Sequence, residues 1–122
     1  MTDIIFYLDF LKKNGRPLCE TYIGSDEIAL TAENALQALE LIKDSQILII
    51  GGDVLSEDNN KLIYAHQLWG QEYHVLNWYL DTEDLKRKDF LKSYHIAKEG
   101  IINANKIANK LKKNCYIVLV IE

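Results

Sequence analysis

The side chains that could carry chemistry in this chain are three histidines (His66, His74 and His95), two cysteines (Cys19 and Cys115) and carboxylates led by Asp53, Asp81 and Asp84. Histidine suits acid-base work near neutral pH and is a common metal ligand. The spacing builds no such site. His66 and His74 are separated by seven residues across an expected turn, and no two histidines stand four apart on one helix. They read as ordinary surface or half-buried histidines. Cys115 could act as a nucleophile beside a histidine, but it opens an apolar run and has no activating neighbour. The two cysteines lie far apart in no metal-type spacing, so they read as reduced small hydrophobes, and no metal or other cofactor is expected. Asp53, Asp81 and Asp84 could converge at strand ends as paired carboxylates, although carboxylates there more often serve turns and caps.

Gly51 and Gly52 follow the apolar run Ile47-Leu-Ile-Ile and lead into Asp53. A glycine turn after a strand can cradle an anion, but the further glycines, the Gly-Lys-Ser/Thr ending and the following helix of a phosphate loop are missing. The pair reads instead as a tight bend that brings Asp53 close to Asn77 and Trp78. Aromatics are the most informative excess. Trp69, Tyr73, Trp78 and Tyr79 crowd one short interval, with Asp81, Glu83 and Asp84 directly after them. Rigid rings beside carboxylates make protein-binding hot spots that select a basic partner. Strand alternation sends Trp78 and Tyr79 to opposite faces, so one fills the core while the other is free to bind.

These groups must be positioned by a small set of elements. Thr2 and Asp3 start a first helix with Ile5, Leu8 and Leu11 on one face, closed by Asn14-Gly15 and Pro17. Residues 18–23 are a weak strand or a loop. Thr31 caps a second helix in which Ala32, Ala35, Leu36, Leu39 and Ile42 share a face. Residues 47–55 form a buried central strand, 56–60 a turn, 61–68 a return strand and 73–80 a third strand of the same meander. After Thr82 the period changes to that of a long helix, with Phe90, Tyr94, Ala97, Ile101, Ala104, Ala108 and Leu111 in one stripe and Asn114 as a stop. Gly100 within it implies close packing against the sheet. Tyr116 to Ile121 is a last apolar strand beside the central one. The expected fold is α+β: a mostly antiparallel sheet of about four strands, with two N-terminal helices and a long C-terminal helix packed on it.

The chain has 122 residues, 48% of them hydrophobic, and 18 acidic against 14 basic residues for a net charge of -4. That size and apolar fraction suit a single domain over residues 1–122. The charge argues against a nucleic-acid binder and favours a basic partner surface. The first residues lack the basic start, apolar centre and cleavage site of a signal peptide, and no segment has the apolar length of a membrane span, so a cytoplasmic protein is expected.

Three elements together point to a relative: the central strand with its Gly51-Gly52-Asp53-Val54 ending, Asn77-Trp78-Tyr79, and Ser93 with Ala97 in the long helix. In this order they resemble the immunity protein 40 family of bacterial polymorphic toxin systems, from Thr31 to the terminal strand. The resemblance implies a small, non-catalytic cytoplasmic protein of a contact-dependent inhibition system that binds and neutralises a cognate toxin domain. With it, Gly51, Gly52, Trp78 and Ser93 read as marks of the fold. Asp53, Glu57, Asp58, Tyr79 and Asp81 read as the binding face, paired with basic residues of a toxin that is, for instance, a nuclease. Two alternatives stand beside this reading. One is a small hydrolase or nucleotide-processing enzyme using Asp53 with His66 or His74; the other is a non-catalytic adaptor that binds through the aromatic strand.

Overall fold

The computed structural model describes residues 2–122, apart from the side chain of Thr2. The helix-starting role expected of that side chain therefore lies outside the described residues. Helix α1 (Thr2–Asn14) has Asp3 in its first turn and Lys12 and Lys13 in its last, each complementing the helix dipole. Its buried face is not the expected one. Tyr7 is buried and Ile4, Phe10 and Leu11 pack on the core, whereas Ile5 and Leu8 are 63% and 48% exposed. Two apolar stripes satisfy the same helical period here, and packing of α1 on the second helix selects the one through Tyr7.

Residues 18–23 form no strand. Strand β1 is Arg16–Pro17, followed by a 3-10 turn at Leu18–Glu20 that buries Leu18. Strand β2 (Ile28–Thr31), not foreseen in the sequence, runs straight into helix α2 (Ala32–Ile42). Thr31 caps α2 as expected, its Oγ1 accepting the Asn34 N–H at 3.2 Å. Ala32, Ala35, Leu39 and Ile42 are buried, joined by Ala38.

The centre of the sheet is β3 (Ile49–Asp58), longer than expected because the chain stays extended through Ser56, Glu57 and Asp58. Only Asn59 and Asn60 make the turn, with φ of 52° and 66°. This left-handed pair suits a two-residue hairpin and a residue type that tolerates it. Strand β4 is Lys61–Tyr64; the chain then enters a short helix α3 (Ala65–Trp69) and a 3-10 segment (Gln71–Leu76). The third strand expected over 73–80 is reduced to β5 (Trp78–Tyr79), which pairs with β3 rather than continuing a meander from β4. Strand β6 (Tyr116–Ile121) lies antiparallel along the other side of β3, from Ile49↔Ile121 to Leu55↔Tyr116. The α+β class and antiparallel sheet are as expected, but there are six strands among the described residues rather than about four, in the order β1-β2-β6-β3-β4 with β5 also on β3.

The long helix is broken. Helix α4 (Thr82–Arg87) stops at Lys88, which takes φ of 51°, and α5 (Phe90–Leu111) starts again with Asp89 as its cap. Along α5 the stripe Tyr94, Ala97, Ile101, Ala104 and Ala108 is buried as expected. Asn114 does more than stop the helix: its Oδ1 accepts the Glu57 N–H at 2.6 Å, and the buried Ser56 hydroxyl lies 2.8 Å from both its Oδ1 and its carbonyl oxygen. Ser56 itself belongs to the strand and not to a turn, paired with Ile63 of β4.

The two faces of the sheet differ. Ile49, Val54 and Ile117 join the helices in the main core, while Leu55, Leu62 and Val118 face the other way and meet Leu18 and Ala29. All five α-numbered elements lie outside this second cluster. Burial alone pushes the Tyr7 phenol and the Cys115 thiol up to about 12, from ordinary values of 10.0 and 9.0. Both groups are therefore held neutral in the fold. A raised folded value means stability is full below the ordinary values and falls as pH climbs through them toward 12. Chemical unfolding at increasing pH should show stability unchanged by these groups below pH 9.0 and declining up to about 12.

Candidate functional site

Gly51 and Gly52 do not end the central strand; they lie inside β3 beside β5, just past an irregularity in the β3–β6 register between Ile49 and Gly51. The glycines are required by close approach. A Cβ on Gly51 would stand 2.4 Å from the Trp78 carbonyl oxygen, and one on Gly52 would stand 2.4 Å from two carbons of the Trp78 ring. Gly100 of α5 approaches the same indole from the helix side, where a Cβ would stand 2.7 Å away. The close packing foreseen for Gly100 is thus packing on Trp78. This ring is a half-buried core side chain held between β3 and α5.

Ser93 completes the seam. Its Oγ accepts the Ile49 N–H at 3.2 Å and donates to the Phe90 carbonyl at 2.9 Å. The hydroxyl supplies a partner to a buried strand amide where the ladder is irregular. Ser93→Ala should cost about 1–3 kcal/mol by orphaning that amide, read from urea unfolding.

With Trp78 turned inward, Tyr79 stands on the opposite face and is 61% exposed. Its hydroxyl donates to Asp53 Oδ1 at 2.7 Å. Asn77 fixes the approach of β5 by accepting the Val54 N–H on its Oδ1 at 2.8 Å. Asp53, Asn77 and Tyr79 line an open cleft of about 390 Å³ together with Tyr64, His66, His74 and Val75. Among the described residues no lysine or arginine lines it. The Asp53 bond, followed by burial and the Asp53 charge, pushes the Tyr79 phenol up to about 12. Tyr64 is raised by burial and then by Asp53 and Glu27. Glu27 is itself raised, first by burial and then by the charges of Asp53 and Asp26. Asp53 and Glu27 thus both act as negative charges on this face.

The residues read from the sequence as a binding face divide. Asp53 and Tyr79 come together in the cleft; Glu57, Asp58 and Asp81 do not line it. Glu57 forms an ion pair with Arg16, which also donates to the Asn60 carbonyl at 2.7 Å and lies over the Tyr116 ring. Asp58 is exposed at the hairpin end opposite Lys61. Asp81 caps α4, its Oδ1 accepting the Asp84 N–H at 2.8 Å. Asp84 is buried and held by Lys92 at 2.7 Å.

His66 and His74 do meet, with ring centroids 5.6 Å apart and edge to face, and His66 stacks on Tyr64 at 5.9 Å. They share the cleft with Asp53, but no hydrogen bond joins either imidazole to that carboxylate among the described residues. Tyr64 and Glu27 were not singled out in the sequence. Tyr64 reaches the site through the register Leu55↔Tyr64, set by the two-residue turn. Among the described residues no group of three or more His, Cys, Asp or Glu side chains is arranged to hold a metal. None of the described helices is long and apolar enough to cross a membrane.

The family model for Immunity protein 40 matches residues 20–121, and the chain belongs to that family. The match begins earlier than the resemblance at Thr31 and takes in β2, leaving α1 and β1 before it. Searches of curated proteins and of solved structures find no match.

Proposed function

We propose that this chain binds a cognate toxin domain in the cytoplasm and neutralises it by direct contact, without catalysis, through the sheet face around Asp53 and Tyr79. The observation that carries the reading is the cleft itself: a carboxylate held by a tyrosine hydroxyl, walled by aromatics and lined, among the described residues, by no lysine or arginine. A lysine or arginine of the partner entering it would meet the charges of Asp53 and Glu27 and could lie over the Tyr64 or Tyr79 ring. A nuclease is the kind of toxin that fits, since it carries basic residues for substrate phosphates. Glu57, Asp58 and Asp81 would add rim charge that speeds encounter more than it holds the complex.

Calorimetric titration with the toxin domain encoded beside this chain tests the proposal. Tight one-to-one binding that silences the toxin, with association slowing as salt is added, is the expected result. A toxin that is not bound, or stays active when saturated, rules the reading out. The common cleft of Asp53, His66 and His74 favours one second reading, hydrolysis. It requires His66→Ala or His74→Ala to abolish neutralisation without weakening binding.

A further inference from the structure

The sheet has an edge that its own strands leave open. Strand β2 pairs with β6 at Leu30↔Ile117 and Thr31↔Tyr116, while Ile28 and Ala29 pair with β1. Beyond Ile117, β6 continues through residues 118–121 with pairs to β3 alone. Alternate residues of an antiparallel strand point their N–H and C=O away from a given neighbour. Some backbone groups of residues 118–121 therefore face outward, and among the described residues no turn, cap or loop bond reaches that edge of them. An unpaired edge of this kind is a template for another strand.

A groove of about 360 Å³ runs along this edge, lined among others by Leu8 and Leu11 of α1, by Asp26 and Glu27, and by Leu119 and Val120. Leu8 is 48% exposed there. Leu119 packs toward the helix-side core, and Val118 belongs to the opposite face, with Val120 following it by alternation. A strand laid beside β6 would alternate in the same way. One set of its side chains would face α1, and the other would face Asp26 and Glu27. The two acids decide what kind of strand that is. A second copy of this chain would bring its own acidic pair to the edge, and like charges brought together across strands are unfavourable. Basic side chains would instead relieve the repulsion that Asp53 and Asp26 impose on the half-buried Glu27. The groove is also continuous in charge with the cleft, since Glu27 acts on both Tyr64 and Tyr79.

We propose that this edge takes an extended segment of the toxin domain as an added strand beside β6, with apolar residues facing Leu8 and Leu11 alternating with lysine or arginine facing Asp26 and Glu27. The partner's identity rests on the toxin-binding reading above; the mode of docking is independent of it. The test is residue-resolved amide exchange on the free chain and on its purified complex with the toxin domain encoded beside it. Outward-facing amides of residues 118–121 are expected to slow by about tenfold or more in the complex. Leu8→Arg and Asp26→Lys, both at exposed positions, are expected each to weaken binding by about tenfold with thermal stability unchanged.

Unchanged exchange at 118–121 and full affinity of Leu8→Arg, in a complex that still forms, would overturn strand addition while leaving toxin binding intact. Failure of the native chain to bind the toxin overturns both. Protection of the same amides in the free chain, lost on dilution, assigns the edge to a second copy and also overturns the proposal.

Discussion

Gly52→Val is expected to destabilise the fold by about 3 kcal/mol or more, lowering the midpoint of thermal unfolding by about 10 °C. The side chain has nowhere to go. The first carbon alone would overlap three atoms of the Trp78 ring at 2.4 to 2.9 Å, and the indole cannot retreat because Gly100 already meets its other side. Against a total stability of about 5–15 kcal/mol for a domain, the loss is a large fraction. The cause can be isolated by a double-mutant cycle. In a Trp78→Leu background the same substitution should cost far less, with a coupling of about 1–3 kcal/mol between the two positions. Thermal unfolding of the four proteins measures it, and additive effects would show that Gly52 is needed for some reason other than room for the indole.

Asp53→Lys is expected to weaken toxin binding by about 100-fold or more, about 2.8 kcal/mol, while leaving the chain folded. Asp53 is only half-buried and its partner Tyr79 is largely exposed, so the fold does not depend on the charge. The partner would lose both the carboxylate and the negative potential that Asp53 imposes on Glu27 and Tyr64. Charge reversal at Asp58, out on the hairpin, should change mainly the association rate and its salt dependence. Surface-based kinetics separate the two cases: dissociation accelerates for Asp53→Lys and stays unchanged for Asp58→Lys.

Much of this architecture is legible in the sequence where one period dominates a long segment. The stripe from Tyr94 to Ala108 and the face of α2 declare their helices, and the run at 116–121 declares its strand. What is not legible depends on partners. Ile28–Thr31 is too short to show alternation and ends in the residue that caps α2. Residues 73–80 alternate convincingly, yet in the 3-10 segment Tyr73 packs on the core while His74 and Val75 line the cleft, so the alternation there marks no strand. The break at Lys88 depends on a single left-handed residue, with no glycine to announce it.

The site follows the same division. Asp53, Tyr79, Trp78 and the glycines stand out by type and spacing, but the bond between Asp53 and Tyr79 follows from a register that only the folded sheet defines. Tyr64 and Glu27 come from β4 and from the segment before β2, the parts whose boundaries the sequence pattern blurs.

The central claim, neutralisation of a toxin through the Asp53 face, is tested most directly by survival of cells that co-express the toxin domain with the native chain, with Asp53→Lys, or with Glu99→Lys on the exposed side of α5. At equal amounts of folded protein, the native chain and Glu99→Lys should protect and Asp53→Lys should not. Death with the native chain, or full protection by Asp53→Lys, would contradict the account.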